Sequence, residues 1–192
     1  MFPPDTQRLY IAIPCPPALA IRLAELQSHL GSDTWSLRLS DPQDFHLTLH
    51  FLGPTPVRVI DDLRRELGAV AHARRPFDLS VKGLGAFPHW DEPGILWAAV
   101  HDGAGHLAEL HQASLRVLNA YRLFKLTGAY TPHITLARVK KISAAWDPRR
   151  LKALSGWDEA LGAYPVEELR LMRSQPGKEV RDEVVASFYL DP

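Results

Sequence analysis

Residues 45–53 read FHLTLHFLG and residues 130–140 read YTPHITLARVK, and both carry the pattern His-x-Thr-Leu, at 46–49 and again at 133–136. In both stretches polar and apolar residues alternate, the period of a strand with one buried face. Residues two apart on a strand share a face, so each copy sets an imidazole beside a hydroxyl, about 7 Å apart along the chain. Leu47 and Leu49, or Ile134 and Leu136, take the opposite face. At this chain's own residue frequencies the pattern should occur by chance roughly 0.05 times. Finding it twice marks a pair. Two such strands facing each other would surround one small polar group with two imidazoles and two hydroxyls, a layout suited to acid–base chemistry on a phosphate.

The flanking sequence places these strands in an α+β chain. Residues 8–14 (RLYIAIP) read as a strand stopped by Pro14, Pro16 and Pro17. A helix follows with Leu19, Leu23, Leu26 and Leu30 on one stripe and Gly31 as its stop. A short strand at 35–39 leads through the polar turn SDPQD into the first motif strand, 45–52. Thr55 and Pro56 have the form of an N-cap and first-turn proline for a second helix, whose apolar face is Ile60, Leu63, Leu67 and Val70. Strands are expected at 76–87 and 95–100, with Gly83 and Gly85 marking a bend between strands. A third helix is expected at 105–121, packing through Leu107, Leu110, Leu118 and Tyr121, with His111 at the edge of the core. The second motif strand follows at 131–140, then a short helical stretch at 147–154. A final hairpin of strands 165–174 and 180–190 turns around SQPGKE, with Val184, Ala186, Phe188 and Leu190 on one face. Strand–helix–strand–motif in the first half and strand–helix–motif in the second read as a diverged duplication. Each half is a largely antiparallel sheet with helices on its outer side, and the motifs meet between the halves. No charged linker or low-complexity segment separates them, so residues 1–192 are expected to form a single compact domain.

Composition excludes several classes of function. The 192 residues include 22 basic and 22 acidic side chains, so no global field exists to hold long nucleic acid. A nucleic-acid partner would be gripped locally, at an end or a single nucleotide. The one cysteine, Cys15, forbids an internal disulfide or a cysteine metal cluster. No run approaches the ~18 apolar residues of a membrane span. The N-terminal residues lack the basic-then-apolar form of a signal peptide, which makes the cytoplasm the expected compartment.

Histidine alone has an ordinary pKa, about 6.5, that lets it give or take a proton near neutrality. Cleaving a phosphate ester with water needs a base for the nucleophile and an acid for the leaving oxygen, in line across phosphorus. His46 and His133 on opposite sides of a cleft supply that pair, and the Thr48 and Thr135 hydroxyls can donate to the non-bridging oxygens. A metal site would want three or four convergent ligands, and each motif offers one histidine plus threonine, a poor ligand. The expectation is therefore catalysis with no metal and no cofactor. Strict alternation also puts His50 on the face of His46 and Thr48, as a structural or substrate-contacting residue. Ser174 and Ser187 lack a nucleophile elbow, which leaves a serine hydrolase unsupported.

With its two motifs, the chain resembles the 2H phosphoesterase superfamily. More narrowly, it is similar to bacterial RNA 2′,3′-cyclic phosphodiesterases, also called 2′-5′ RNA ligases. The resemblance runs through RLYIAIP, HLTLHFLG, LGAFP, ILW, TPHITLARVK, VEELRLMRS and the closing SFYL. It implies a bilobal fold of pseudo-two-fold duplicated lobes around a central cleft, and a monomer acting on RNA ends or small 2′,3′-cyclic nucleotides. The reaction implied is hydrolysis to a 2′-phosphate, with His46 as proton donor to the departing 3′ oxygen and His133 as base on water. Thr48 and Thr135 would bind the phosphate, Arg138 would contribute to substrate binding, and Phe51 would contact the base. Three alternatives stay open from residues alone: a non-catalytic nucleotide or RNA-end binding module, 2′-5′ RNA ligation as the working direction, and a metal-dependent hydrolase. Strict alternation places Phe51 and Arg138 on the face opposite their histidines, so their roles require a bulge. Tyr130 and Trp35 are candidate platforms for a terminal base.

Overall fold

The structure is a computed structural model that describes residues 5–30, 35–123, 130–143, 147, 149, 161–175 and 182–191. The expected helix stop at Gly31 and most of the expected helix at 147–154 lie outside the described residues, as does most of the SQPGKE turn.

Among the described residues, nine strands and three helices account for the fold. The strands are β1 (Thr6–Pro14), β2 (Trp35–Leu39), β3 (His46–Pro56), β4 (Phe77–Phe87), β5 (Ile95–Val100), β6 (His133–Ile142), β7 (Gly162–Val166), β8 (Glu168–Arg173) and β9 (Glu183–Tyr189). The helices are α1 (Pro17–Ser28), α2 (Ile60–His72) and α3 (Ala104–Ala120). The strand pairs are antiparallel, in the order β7-β4-β5-β6-β3-β1-β8-β9, with β2 added on β6. From the centre outward, β3-β1-β8-β9 mirrors β6-β5-β4-β7, so the two motif strands meet at a pseudo-two-fold seam. The expected halves are thus present, joined there into one hydrogen-bonded sheet. α1 follows β1 but packs on β6 and β7 of the other half, while α3 follows β5 and packs on β3. These crossed connections tie the halves together.

The core lies between the sheet and the helices. Leu19, Leu23, Leu26 and Leu30 of the first helical stripe are buried, as are Leu63 and Leu67 of α2 and Leu107, Leu110 and Leu118 of α3. His111 is buried among the latter. Thr55 and Pro56 do not start α2. They extend β3, paired with Gln7 and Thr6 of β1, and Thr55 Oγ1 donates to the Gly53 carbonyl. A 3-10 turn at Val57–Val59 intervenes before the helix. The ladder to β1 supplies the pairing that decides against a cap. Of the expected face of the last strand, Phe188 in β9 and Leu190 just beyond it are buried but Val184 is exposed, because the β8–β9 register shifts between Leu171 and Met172.

Gly83 and Gly85 lie within β4, not between strands. Gly83 sits at φ +80° inside a register shift between Val81 and Leu84. A Cβ on Gly85 would come within 2.1 Å of the Trp97 ring, so the glycine makes room for an indole lying across the sheet. Among the described residues no helix is long and apolar enough to cross a membrane.

Candidate active site

The seam is a single ladder pair, Leu47 with Ile134, the second residues of the two motifs. Both are fully buried on the helix side. Antiparallel register then sets the flanking residues opposite each other, His46 to Thr135 and Thr48 to His133, all four on the other face, with the two imidazoles on a diagonal. One register contact thus builds a square of two imidazoles and two hydroxyls. These four side chains line a cleft of about 590 Å³.

Phe51 and Arg138 line the same cleft. The break in alternation that their roles require occurs at the same place in both motifs. In β3, Leu49 and His50 are consecutively buried and Phe51 is 59 % exposed; in β6, Leu136 and Ala137 are consecutively buried and Arg138 is exposed. The register shifts mark both bulges, between Ile11 and Ala12 on the strand facing β3 and between Leu96 and Trp97 on the strand facing β6. Each bulge returns the fifth residue after the histidine to the cleft face. The same bulge removes His50 from the site. Its Nε2 lies 2.9 Å from Ser114 Oγ and 3.0 Å from the His111 carbonyl, and its ring stacks on His111 at 4.2 Å.

Tyr130 and Trp35 do not line the cleft. Tyr130 stacks on the other face of His111, at 4.0 Å. The Trp35 indole donates to the Leu30 carbonyl and packs on the core.

Both cleft histidines are held the same way. His46 Nδ1 donates to the Asp44 carbonyl and His133 Nδ1 to the Thr131 carbonyl, each at 2.7 Å and each two residues upstream. A carbonyl only accepts, so Nδ1 carries hydrogen and Nε2 is left to exchange a proton with the cleft. Burial lowers both pKa values. For His46 this is opposed by the backbone bond and by the charges of Asp182 and Asp44; for His133 the backbone bond opposes and the neighbouring His46 lowers it further.

Their surroundings differ. His133 meets the edge of Phe87 at 5.0 Å and Trp97 at 5.7 Å. His46 lies against Tyr10 at 5.1 Å, and Tyr10 also contacts Phe51 at 5.7 Å. Sequence reading missed Tyr10, Arg8, Arg38, Asp44 and Asp182, which line the cleft. Apart from Asp44, two residues before His46, they carry no local signal, because only strand pairing brings them here. Arg38 stands directly opposite Arg138 across β2 and β6. Like charges so placed repel each other, a cost that an anion between them relieves. Among the described residues no three His, Cys, Asp or Glu side chains converge as a metal ligand set.

Several proteins are similar to this chain in sequence or in fold. A protein of Aeropyrum pernix named RNA 2′,3′-cyclic phosphodiesterase is 30 % identical over 154 residues, 80 % of this chain and 85 % of its own. One of the same name from Thermus thermophilus is 31 % identical over 173 residues, 88 % of this chain and 82 % of its own. The crystal structure of TT0787 of Thermus thermophilus superposes with TM-score 0.77 at 28 % identity, covering 95 % of this chain and 97 % of that one. The 2′-5′ RNA ligase superfamily matches residues 3–178, a span that takes in both motif strands and the cleft between them, and the chain belongs to that family.

Proposed function

We propose that this cleft hydrolyses 2′,3′-cyclic phosphates, at RNA ends or on small nucleotides, to 2′-phosphates. The observation that carries the reading is the Leu47–Ile134 pair, which sets two Nδ1-anchored imidazoles and two hydroxyls on the wall of one cleft. The names borne by the relatives from Aeropyrum and Thermus support the same activity.

His133, in aromatic surroundings that favour its neutral form, takes a proton from water as the oxygen attacks phosphorus. The bond from phosphorus to the 3′ oxygen breaks, and His46 gives that oxygen its proton. The product carries a 3′ hydroxyl and a 2′-phosphate. The Thr48 and Thr135 hydroxyls donate to the non-bridging oxygens as charge builds on them. Phe51 offers an exposed ring to the terminal base, and Arg138 with Arg38 draws the anionic end of the substrate into the cleft. No step requires a metal ion. Both lobes contribute to the site, so residues 1–192 act as one unit.

The test is incubation with a 2′,3′-cyclic mononucleotide and with an oligonucleotide bearing a cyclic-phosphate end, in the presence of EDTA, followed by phosphorus NMR. A 2′-phosphate product is expected. A 3′-phosphate would reverse the bond assignment, and binding without turnover would make the protein a nucleotide-end binding module.

A further inference from the structure

The pseudo-two-fold axis makes the two histidines equivalent by backbone, yet the reaction needs them in opposite roles. The difference lies in what each lobe packs against its imidazole. On β1, Tyr10 pairs with Phe51; at the matching place on β5, Ile95 pairs with Arg138. The lobe of His46 therefore carries a phenol where the lobe of His133 carries an aliphatic side chain. That phenol is fixed from a distance of 172 residues: Tyr10 O–H donates to Asp182 Oδ2 at 2.7 Å. The other carboxylate oxygen, Oδ1, accepts from the backbone N–H of Gln175 at 3.0 Å. Asp182 is thereby tied at both oxygens. It lines the cleft together with Tyr10 and His46.

We propose that Tyr10 and Asp182 form a positioning pair, the tyrosine ring holding the His46 imidazole in place and the aspartate marking it as the proton-donating member of the two. Neither group reacts with substrate. The tyrosine sets the plane of the ring that His46 rests on, and that ring also abuts Phe51, so substrate contact and proton donor share one support. The aspartate places a negative charge on the His46 side of the cleft, where a protonated imidazole is stabilised. Its effect adds to that of Asp44, whose carbonyl holds Nδ1. The charges facing His46 from the remaining elements are Arg8 of β1, Arg38 of β2, Asp41 after it, His133 and Arg138 of β6, and Arg170 of β8. Burial disfavours the charged imidazole, and the Asp44 carbonyl and the two carboxylates are the counterweight. This assignment rests on the cyclic phosphodiesterase reading for its kinetic consequences, but the pair itself can be tested without turnover.

The experiment uses the full chain and the variants D182N, Y10F and Y10L. Imidazole proton NMR follows the titration of His46 and His133, and kcat and KM for a 2′,3′-cyclic mononucleotide are taken across pH. D182N should lower the His46 titration, move that of His133 by less and in the opposite direction through their repulsion, and shift the basic limb of kcat toward lower pH, because the donor loses its proton sooner. Its kcat should fall roughly ten- to hundredfold with KM changed by less than about threefold. Y10F keeps the ring and should show a smaller shift, and Y10L should lose kcat without a comparable pH shift. If D182N and Y10F lower thermal stability but leave both titrations and the pH profile in place, the pair is only a structural tie and the proposal is overturned. If the wild-type chain shows no turnover yet D182N still lowers the His46 titration more than it moves that of His133, the pair stands and the phosphodiesterase reading fails.

Discussion

Leu47 of β3 pairs with Ile134 of β6, and this contact joins the two lobes' sheets at the point where the motifs meet. Both side chains are completely buried beneath the site. Register at this pair decides whether the histidines and threonines form a square or slide past each other, since a one-residue slip would turn every side chain to the other face.

Truncating that pair should loosen the site from below. Leu47→Ala and Ile134→Ala each remove a buried branched side chain and should cost roughly 2–5 kcal/mol, read from urea unfolding midpoints. Activity in the folded fraction should fall as well. A stable variant with full activity would mean that the seam is held by something other than this contact.

Removing either cleft imidazole tests the acid–base scheme directly. His46→Ala and His133→Ala should each reduce turnover of a 2′,3′-cyclic nucleotide by at least about 10³-fold, with circular dichroism unchanged. EDTA should leave the wild-type rate as it was. Full activity in either variant refutes the two-histidine mechanism, and activity lost to chelator and restored by zinc refutes its independence of metal.

His50 makes stability depend on pH in a known direction. Burial first, then the neighbouring His111, lowers its pKa to about 4, against about 6.5 when unfolded. The unfolded chain binds the proton first on acidification, so stability is complete above about pH 6.5 and lost as pH falls toward about 4. Between about pH 7.5 and about pH 5 this one residue should cost about 2 kcal/mol. In His50→Leu the corresponding difference in unfolding free energy, read from urea melts, should shrink by that amount; an unchanged difference would assign the acid sensitivity to other groups.

Gly85→Ala should injure the site from behind. The new methyl would overlap the Trp97 ring, which lies beside His133. Overpacking of this kind costs about 1–3 kcal/mol. The displaced indole should also lower kcat, and tryptophan fluorescence should report the movement. A silent substitution would show that the ring has room to withdraw.

The facing guanidinium groups of Arg38 and Arg138 call for a salt-dependent measurement. Arg38→Gln and Arg138→Gln should raise KM several-fold at low ionic strength and flatten its dependence on salt, with stability unchanged or slightly raised. The effect should be larger for an oligonucleotide end than for a mononucleotide. Equal KM values at all salt concentrations would remove both residues from substrate capture.

Periodicity in the sequence is enough to place most strands and helices, and its two His-x-Thr-Leu repeats name four of the side chains that line the cleft. It could not place Phe51, Arg138 or His50. Alternation put the first two on the wrong face and His50 on the right one, and the paired bulges after Leu49 and Leu136 reversed all three. A bulge is settled by the neighbouring strand's register, which no local pattern records. Thr55 and Pro56 carried a helix-start signal that strand pairing to β1 overrode. What distinguishes the surroundings of His46 from those of His133 comes from long-range packing. Tyr10 and Asp182 lie 172 positions apart, and only the β3-β1-β8-β9 order brings phenol and carboxylate to one imidazole while aromatic rings close on the other. The motifs are nearly identical, so the asymmetry that acid–base chemistry requires had to come from the groups folded around them.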